Sequence, residues 1–351
     1  MNKLFEFIKT TNSRLRKKQL RYLFRQKRFE EAHQLATEQS LNLGWLEGHI
    51  KECAALTTPL AEYESSQKTI DRLHQIGIDT DDIESEDVLD GLVNIAARKH
   101  RCTTSGDVVF EKIYTDRHRD YARSEAHLFN TIDADRLCAP TFYGLYEEDS
   151  FLSVFYEFLD IQKMSRAEFL RGKARLASHL WMLSDDGSLG NIDSRPCVIE
   201  LELSHPKHIK IIKTSCRKLG FSYRAIQDAM ALYRESPKFI AHDDLSSGNI
   251  CRANDRFYLI DWDKWSVSGL GAGLNLSRRE LNMPIFQDAI SQTAATQGVR
   301  RELLLNNLYL FNIAKLSQQR SIDDLEFYLD KLRSLQQRET SLYGRSAAAT
   351  A

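Results

Sequence analysis

Hydrophobic positions change their period along the chain. Through "SRLRKKQLRYLFRQKRFEEAHQLATEQS", Leu15, Leu20, Leu23 and Phe24 recur at roughly helical intervals with almost no β-branched or turn-forming residues, which predicts helices through residues 1–75. The period fails in "IGIDTDDIESEDVLDGLVN", residues 76–94, which is acidic and aperiodic, so a domain boundary is expected just before it. Next, "LVNIAARKHRCT" alternates loosely, "SGD" at 105–107 signals a turn and "VVFEKIY" is rich in strand formers; together they predict a hairpin. "DYARSEAHLFNTI" returns to helical spacing, and "TFYGLYEEDSFLSVFYEFLD" reads as two strands around Glu147-Glu148-Asp149-Ser150. From about Ser165 the pattern is mostly helical, interrupted by the short apolar runs "NIC" and "RFYLI" around the turn-like "RAND" and closed by helices from about 278 to 338. The chain contains no internal repeat.

Composition narrows the classes. A chain of 351 residues can hold two or three domains, and 48 Lys+Arg against 49 Asp+Glu give a net charge of -1, so no global field favours nucleic acid as a partner. One region departs from this balance. From Met1 to Gln34 there are ten Lys/Arg against three Glu, an excess of seven positive charges. Either a solvated helix face or a docking surface for anionic lipid head groups, a polyanion or a protein partner would account for it. The six cysteines, Cys53, Cys102, Cys138, Cys197, Cys216 and Cys251, have no zinc-like spacing and are expected as reduced cytoplasmic thiols. Glu6 and Lys9 interrupt the N-terminal apolar residues, and no window approaches 18 uninterrupted apolar residues. A soluble, cytoplasmic protein is expected, with contact to the inner face of a membrane through the basic helices as the variation on it.

The chemistry concentrates in "FIAHDDLSSGNI", Phe239–Ile250. Phosphoryl transfer from ATP needs a carboxylate that orients and deprotonates the attacking hydroxyl, and oxygen ligands for Mg²⁺. The kinase template H-x-D-x-x-x-x-N aligns His242, Asp244 and Asn249, which makes Asp244 the candidate base and Asp243 the variable residue. Beyond a predicted hairpin, "LIDWD" sets Asp261 at the end of an apolar strand, where it could share a metal with Asn249. Asp263 is either a further metal neighbour or a strand-end acid, and Trp262 and Trp265 are expected to pack beneath the loop.

"HDDLSSGNI" followed by "FYLIDWD" closely resembles the catalytic loop and metal-binding strand of the aminoglycoside phosphotransferase and choline kinase group. That group reads H-G-D-L-x-x-x-N and then I-D-W-E/D, so Asp243 stands where it carries glycine. The resemblance implies an α+β, two-lobed protein-kinase-like fold: an antiparallel-sheet N-lobe over 76–158 and a mostly helical C-lobe over 159–345, preceded by the basic helical extension 1–75. It implies a strand lysine at the ATP phosphates, for which "VVFEKIY" supplies Lys112, and a helix glutamate paired with it, for which "ARSEAHLF" supplies Glu125. "SVFYEFLD" resembles the interlobe hinge, with the backbone of Glu157 and Leu159 among the adenine contacts; Gly91 alone is available for a phosphate loop. The resemblance spans about residues 85 to 275.

Ser246 occupies the position where protein Ser/Thr kinases carry a lysine, and no D-F-G or A-P-E follows, so a small-molecule hydroxyl is the expected acceptor. The implied activity is an ATP- and Mg²⁺-dependent phosphotransferase acting on a sugar, amino alcohol or aminoglycoside. Its alternatives are a membrane-surface kinase for a lipid-linked sugar or polysaccharide, and a non-catalytic scaffold. "GLGAG" after Trp265 replaces the group's D-L-A, and the acids of "SIDDLEFYLDKL" either line a site for a cationic acceptor or face solvent.

Overall fold

The structure, a computed structural model, describes residues 18–38, 45–88, 93–183, 197–319 and 322–349. The chain divides into two compact units: Met1–Asn130 with Pro140–Leu159, and Thr131–Ala139 with Asp160–Ala351. The first combines an antiparallel sheet with helices and the second is mostly helical, the mixture that makes an α+β chain.

The first unit is built on a five-stranded antiparallel sheet of order β1-β2-β3-β5-β4, formed by Ile83–Asp87, Ala96–Cys102, Val108–Thr115, Phe142–Glu147 and Phe151–Glu157. Its first strand comes from the acidic stretch, where the pattern predicted only a boundary; Ile83 alone of its five residues is buried. Five helices precede the sheet: α1 (18–25), α2 (Phe29–Glu38), α3 (Trp45–Ala55), α4 (Thr57–Tyr63) and α5 (Ser66–Gln75). These helices share a core with the sheet. Leu60 and Tyr63 of α4 cluster with Ile113 and Phe151, and Ile70 and Leu73 of α5 with Val109 and Phe155. Fully burying each such side chain contributes about 1.5–3 kcal/mol.

Strand alternation then assigns the two faces of β3. Val109, Glu111 and Ile113 point toward α4 and α5, whereas Lys112 and Tyr114 point toward α6 (Arg119–Thr131). Two of the described basic residues in this region have acid partners, while Lys18, Arg21 and Arg25 are exposed. Lys27, held at φ 53°, places its amine 2.5 Å from Glu64 and 2.6 Å from Asp87, and Arg28 pairs with Glu31 at 2.5 Å. Residues 1–17, which carry five of the ten basic side chains, lie outside the described residues.

In the second unit, Ser165 starts α7 (Arg166–Trp181) with a capping box: its hydroxyl accepts from the Glu168 N–H and its own N–H donates to the Glu168 carboxylate. Helices α8 (Val198–Ser204), α9 (Pro206–Lys218) and α10 (Arg224–Glu235) follow, and α11 (Arg278–Leu281), α12 (Pro284–Thr296), α13 (Arg301–Gln319) and α14 (Ile322–Ala349) close the unit. Between these groups lie two antiparallel pairs, β6 (Lys238–His242) with β9 (Trp265–Gly269), and the hairpin β7 (Ile250–Ala253) with β8 (Arg256–Leu259).

"GLGAGLN" is a buried, fully engaged loop. Asn307 donates to the Leu270 carbonyl at 2.7 Å, Trp181 to Ala272 at 3.1 Å, and Asn312 to Leu274 at 3.1 Å. At Gly271, φ is +100° and a Cβ would collide with the Leu304 carbonyl, so glycine is required there. No helix among the described residues is long and apolar enough to cross a membrane. All six cysteines are free, with five buried and Cys138 half-buried.

Candidate active site

Three hydrogen bonds shape the loop after β6. His242 is fully buried; its Nδ1 accepts the Asp244 N–H at 3.2 Å, which leaves Nε2 to donate to the Ile260 carbonyl at 3.0 Å. Burial pushes its pKa down to about 4, so the ring stays neutral and holds this tautomer. Trp262 packs edge-on against the ring at 4.9 Å, and Asp243 donates its N–H to the Lys264 carbonyl at 3.0 Å. His242 is thus a fastener between loop and strand end, while Trp262 and Trp265 lie in the core.

The Asp244 carbonyl accepts from the Ser246 N–H at 2.8 Å and from the Asn249 side-chain amide at 3.0 Å. Using its NH₂ group in this way directs the Asn249 amide oxygen the other way. β7 and β8 pair in the register Ile250↔Leu259, and the Ile260 N–H extends the ladder to the Asn249 carbonyl at 2.9 Å. Asn249 therefore stands opposite Ile260, and Asp261 is the next residue along. Asp261 has φ 61° and ψ 57°, a left-handed conformation that aspartate tolerates better than bulkier residues and that turns the chain out of the strand into a short 3₁₀ turn. Asp244, Asn249 and Asp261 are brought to one end of this hairpin, with Asp244 and Asn249 directly bonded.

An amide oxygen and a carboxylate at a hairpin end suit a hard cation that completes its shell with phosphate and water. No group of three or more His, Cys, Asp or Glu side chains that could hold a metal occurs among the described residues. Asp243 and Asp263 are both buried, at 6 % and 8 % exposure. Burial pushes the Asp243 carboxyl up to about 7, against the charge of Lys315, and its Oδ1 lacks a hydrogen-bond partner.

The sequence pattern did not single out Lys173. It sits on the buried face of α7, two residues from the exposed Arg171 and Arg175 on either side, 5 % exposed, bonded to the Asn275 carbonyl and 3.5 Å from Glu280. Burial lowers its pKa, while Glu280 and, more weakly, Asp244 raise it. A lysine flanked by Gly172 and Ala174, both buried, was the available signal.

In the first unit, Lys112 Nζ lies 4.0 Å from Glu125 Oε1, and both side chains are buried. Glu125 also accepts the Tyr114 hydroxyl at 3.3 Å, and the Tyr156 ring lies 5.8 Å from Nζ. Glu157 ends β5: its N–H donates to the Thr141 carbonyl at 2.8 Å and its carboxylate accepts the Thr141 hydroxyl at 3.0 Å, so its side chain clamps the entry to β4. Phe158 donates to Val108 at 3.1 Å, and Leu159 is buried. Gly91 lies outside the described residues. Three of the α14 acids are paired, Asp324 with Arg278 at 2.9 Å, Glu326 with Lys218 at 2.9 Å, and Asp330 with Arg333, while Asp323 is exposed and its backbone carbonyl accepts from Arg278.

No family model matches the sequence, and no curated protein matches it either. Among solved structures the chain is similar to a choline kinase from Cryptosporidium parvum, at 12% identity over 80% of this chain and 97% of that one, with a TM-score of 0.49. It is also similar to the choline kinase LicA from Streptococcus pneumoniae, at 12% identity over 76% and 98%, TM-score 0.45. A third is an ethanolamine kinase from Plasmodium vivax, at 14% identity over 82% and 86%, TM-score 0.43.

Proposed function

We propose that the chain is an ATP- and Mg²⁺-dependent phosphotransferase whose acceptor is a hydroxyl of a small molecule. The observation that carries this reading is the hairpin register: it sets Asn249 across from Ile260 and next to Asp261, while the Asn249 amide ties down the backbone of Asp244. Each chemical demand of phosphoryl transfer then has a residue. Asp244 orients the acceptor hydroxyl and takes its proton as the new oxygen–phosphorus bond forms and the bond from the γ-phosphorus to the β–γ bridging oxygen breaks, releasing ADP. Asn249 Oδ1 and the Asp261 carboxylate hold the metal, whose contribution is to neutralise charge on the phosphates. Lys112, restrained by Glu125, contacts the α- and β-phosphates, and the backbone from Glu157 to Leu159 receives adenine.

Ser246 in place of a lysine, and a buried loop in place of an activation segment, favour a small-molecule acceptor over a protein. The reading is tested by ADP release from Mg-ATP across a panel of sugars, amino alcohols and aminoglycosides. An acceptor that stimulates the wild type should give at least a hundredfold less turnover with Asp244→Asn, by the usual scale for a lost general base. Full turnover by Asp244→Asn would remove the role assigned to it.

A further inference from the structure

Behind Lys112 the sheet holds a buried ionic network that the transfer chemistry does not use. Glu111, the neighbour of Lys112 on β3, is fully buried. Its Oε1 accepts from Arg72 Nε at 3.0 Å and from the Ser153 hydroxyl at 2.6 Å, and its Oε2 bonds His100 Nε2 at 2.8 Å. Burial alone would raise the carboxyl, but the hydrogen bond from His100 and the charge of Arg72 outweigh it and hold it at about 2, so Glu111 is ionised. Arg72 comes from α5, is 1 % exposed, lies 3.9 Å over the Tyr63 ring and donates to the Tyr63 carbonyl at 2.7 Å. Tyr63, at the end of α4, returns to the sheet through its hydroxyl, 2.8 Å from Ser153.

We infer that α4 and α5 act as a brace that positions Lys112: Arg72 and Tyr63 lock Glu111 and Ser153, and through them the register and height of β3 and β5 at the residue that meets the phosphates. This rests on the phosphotransferase reading, and it gives the N-terminal helices a role inside the nucleotide half-site. Alternation along β3 makes the coupling short. Glu111 and Lys112 are consecutive and point to opposite faces, so any shift that relieves one displaces the other. On its own face Lys112 has Glu125 at 4.0 Å, and on the opposite face two guanidinium nitrogens of Arg72 hold Glu111 Oε1, at 3.0 and 2.9 Å. Hydrophobic contact alone tolerates sliding, whereas hydrogen bonds into one carboxylate from a helix and two strands do not. Arg72 and Tyr63 are positioning residues; neither is placed against the nucleotide.

The test pairs Arg72→Met with Glu111→Gln, which severs helix from strand, leaves no lone buried charge and keeps a side chain for His100 and Ser153. Two quantities are read on the full chain: the dissociation constant for Mg-ATP, and the rate at which an ATP acyl-phosphate acylates Lys112. The expected result is a folded variant with Mg-ATP affinity weakened about tenfold or more and slower acylation, on the scale of a small misplacement of a binding group. Affinity and acylation equal to wild type in the folded double variant overturn the inference alone. Failure of the wild type to bind Mg-ATP overturns the phosphotransferase reading and this inference with it. If the double variant does not fold, Tyr63→Phe replaces it: a weakened affinity supports the brace, and an unchanged one overturns it.

Discussion

Asp243 stands where glycine is the rule in the group its loop resembles, and its burial makes a quantitative consequence for stability. The carboxyl moves from 3.8 to about 7 on folding because the folded chain takes it out of water, with Lys315 opposing the shift and Asp244 adding to it. The sign follows from proton binding. Below 3.8 both states carry the proton and the group contributes no difference. As pH rises from there, the unfolded chain releases its proton first, so the folded state loses stability until about pH 7, above which the loss is constant. A shift of about three units corresponds to about 4 kcal/mol, of which roughly 2.5 kcal/mol falls between pH 5 and pH 8. Asp243→Asn removes the titration and keeps the shape. Urea unfolding of both proteins at pH 5 and pH 8, followed by the fluorescence of the buried Trp262 and Trp265, should show wild type losing roughly 2.5 kcal/mol more than the variant over that interval. Any constant cost of the new amide cancels from this comparison. Parallel pH dependences in the two proteins would refute the assignment of a protonated Asp243.

Three further outcomes follow from local geometry. Asp261→Asn should keep the left-handed backbone that asparagine also accepts, and therefore its melting temperature, while losing most Mg-ATP turnover; a large loss of stability would contradict the metal role. Gly271→Ala should destabilise the second unit by more than about 3 kcal/mol in denaturant titration, because φ +100° and the Leu304 carbonyl both reject a Cβ. Because Asp324, Glu326 and Asp330 of α14 are already paired with Arg278, Lys218 and Arg333, turnover of a cationic acceptor should depend only weakly on salt; a steep fall in kcat/KM with rising ionic strength would show the α14 acids acting as an attracting field.

Spacing in the sequence was enough to find the loop, because the distance from Asp244 to Asn249 and the strand ending at Asp261 are set by chain connectivity, which local pattern reports. The same holds for α7, whose Ser165–Glu168 capping box is written in four residues. Other features depend on long-range neighbours. Glu111 reads as an exposed strand acid, yet Arg72, 39 residues earlier, makes it a fully buried one. β1 is nearly all polar and is a strand because β2 pairs with it from Ile83 to Asp87, not because of its own periodicity. "GLGAG" stands in the sequence only as a replacement for the group's D-L-A, and its burial depends on Asn307, Asn312 and Trp181.

The N-terminal helices illustrate how charge counted along a chain differs from charge presented on a surface. Helical periodicity identified an apolar face on these segments but not what that face meets, and a local excess of seven positive charges was compatible with a solvated helix face or an anionic docking surface. In the structure the apolar face meets the sheet. Of the described basic residues of that stretch, Lys27 reaches Glu64 and Asp87 and Arg28 pairs with Glu31, while Lys18, Arg21 and Arg25 are exposed; farther along the chain Arg72 turns inward onto Glu111 and Arg98 onto Asp87. A cation already committed to a buried or half-buried carboxylate cannot serve a lipid head group without leaving that carboxylate alone, at a cost of about 3–5 kcal/mol for a buried pair such as Arg72 with Glu111. Arg72 is therefore committed to the strand that bears Lys112, while Lys18, Arg21 and Arg25 stay on the surface.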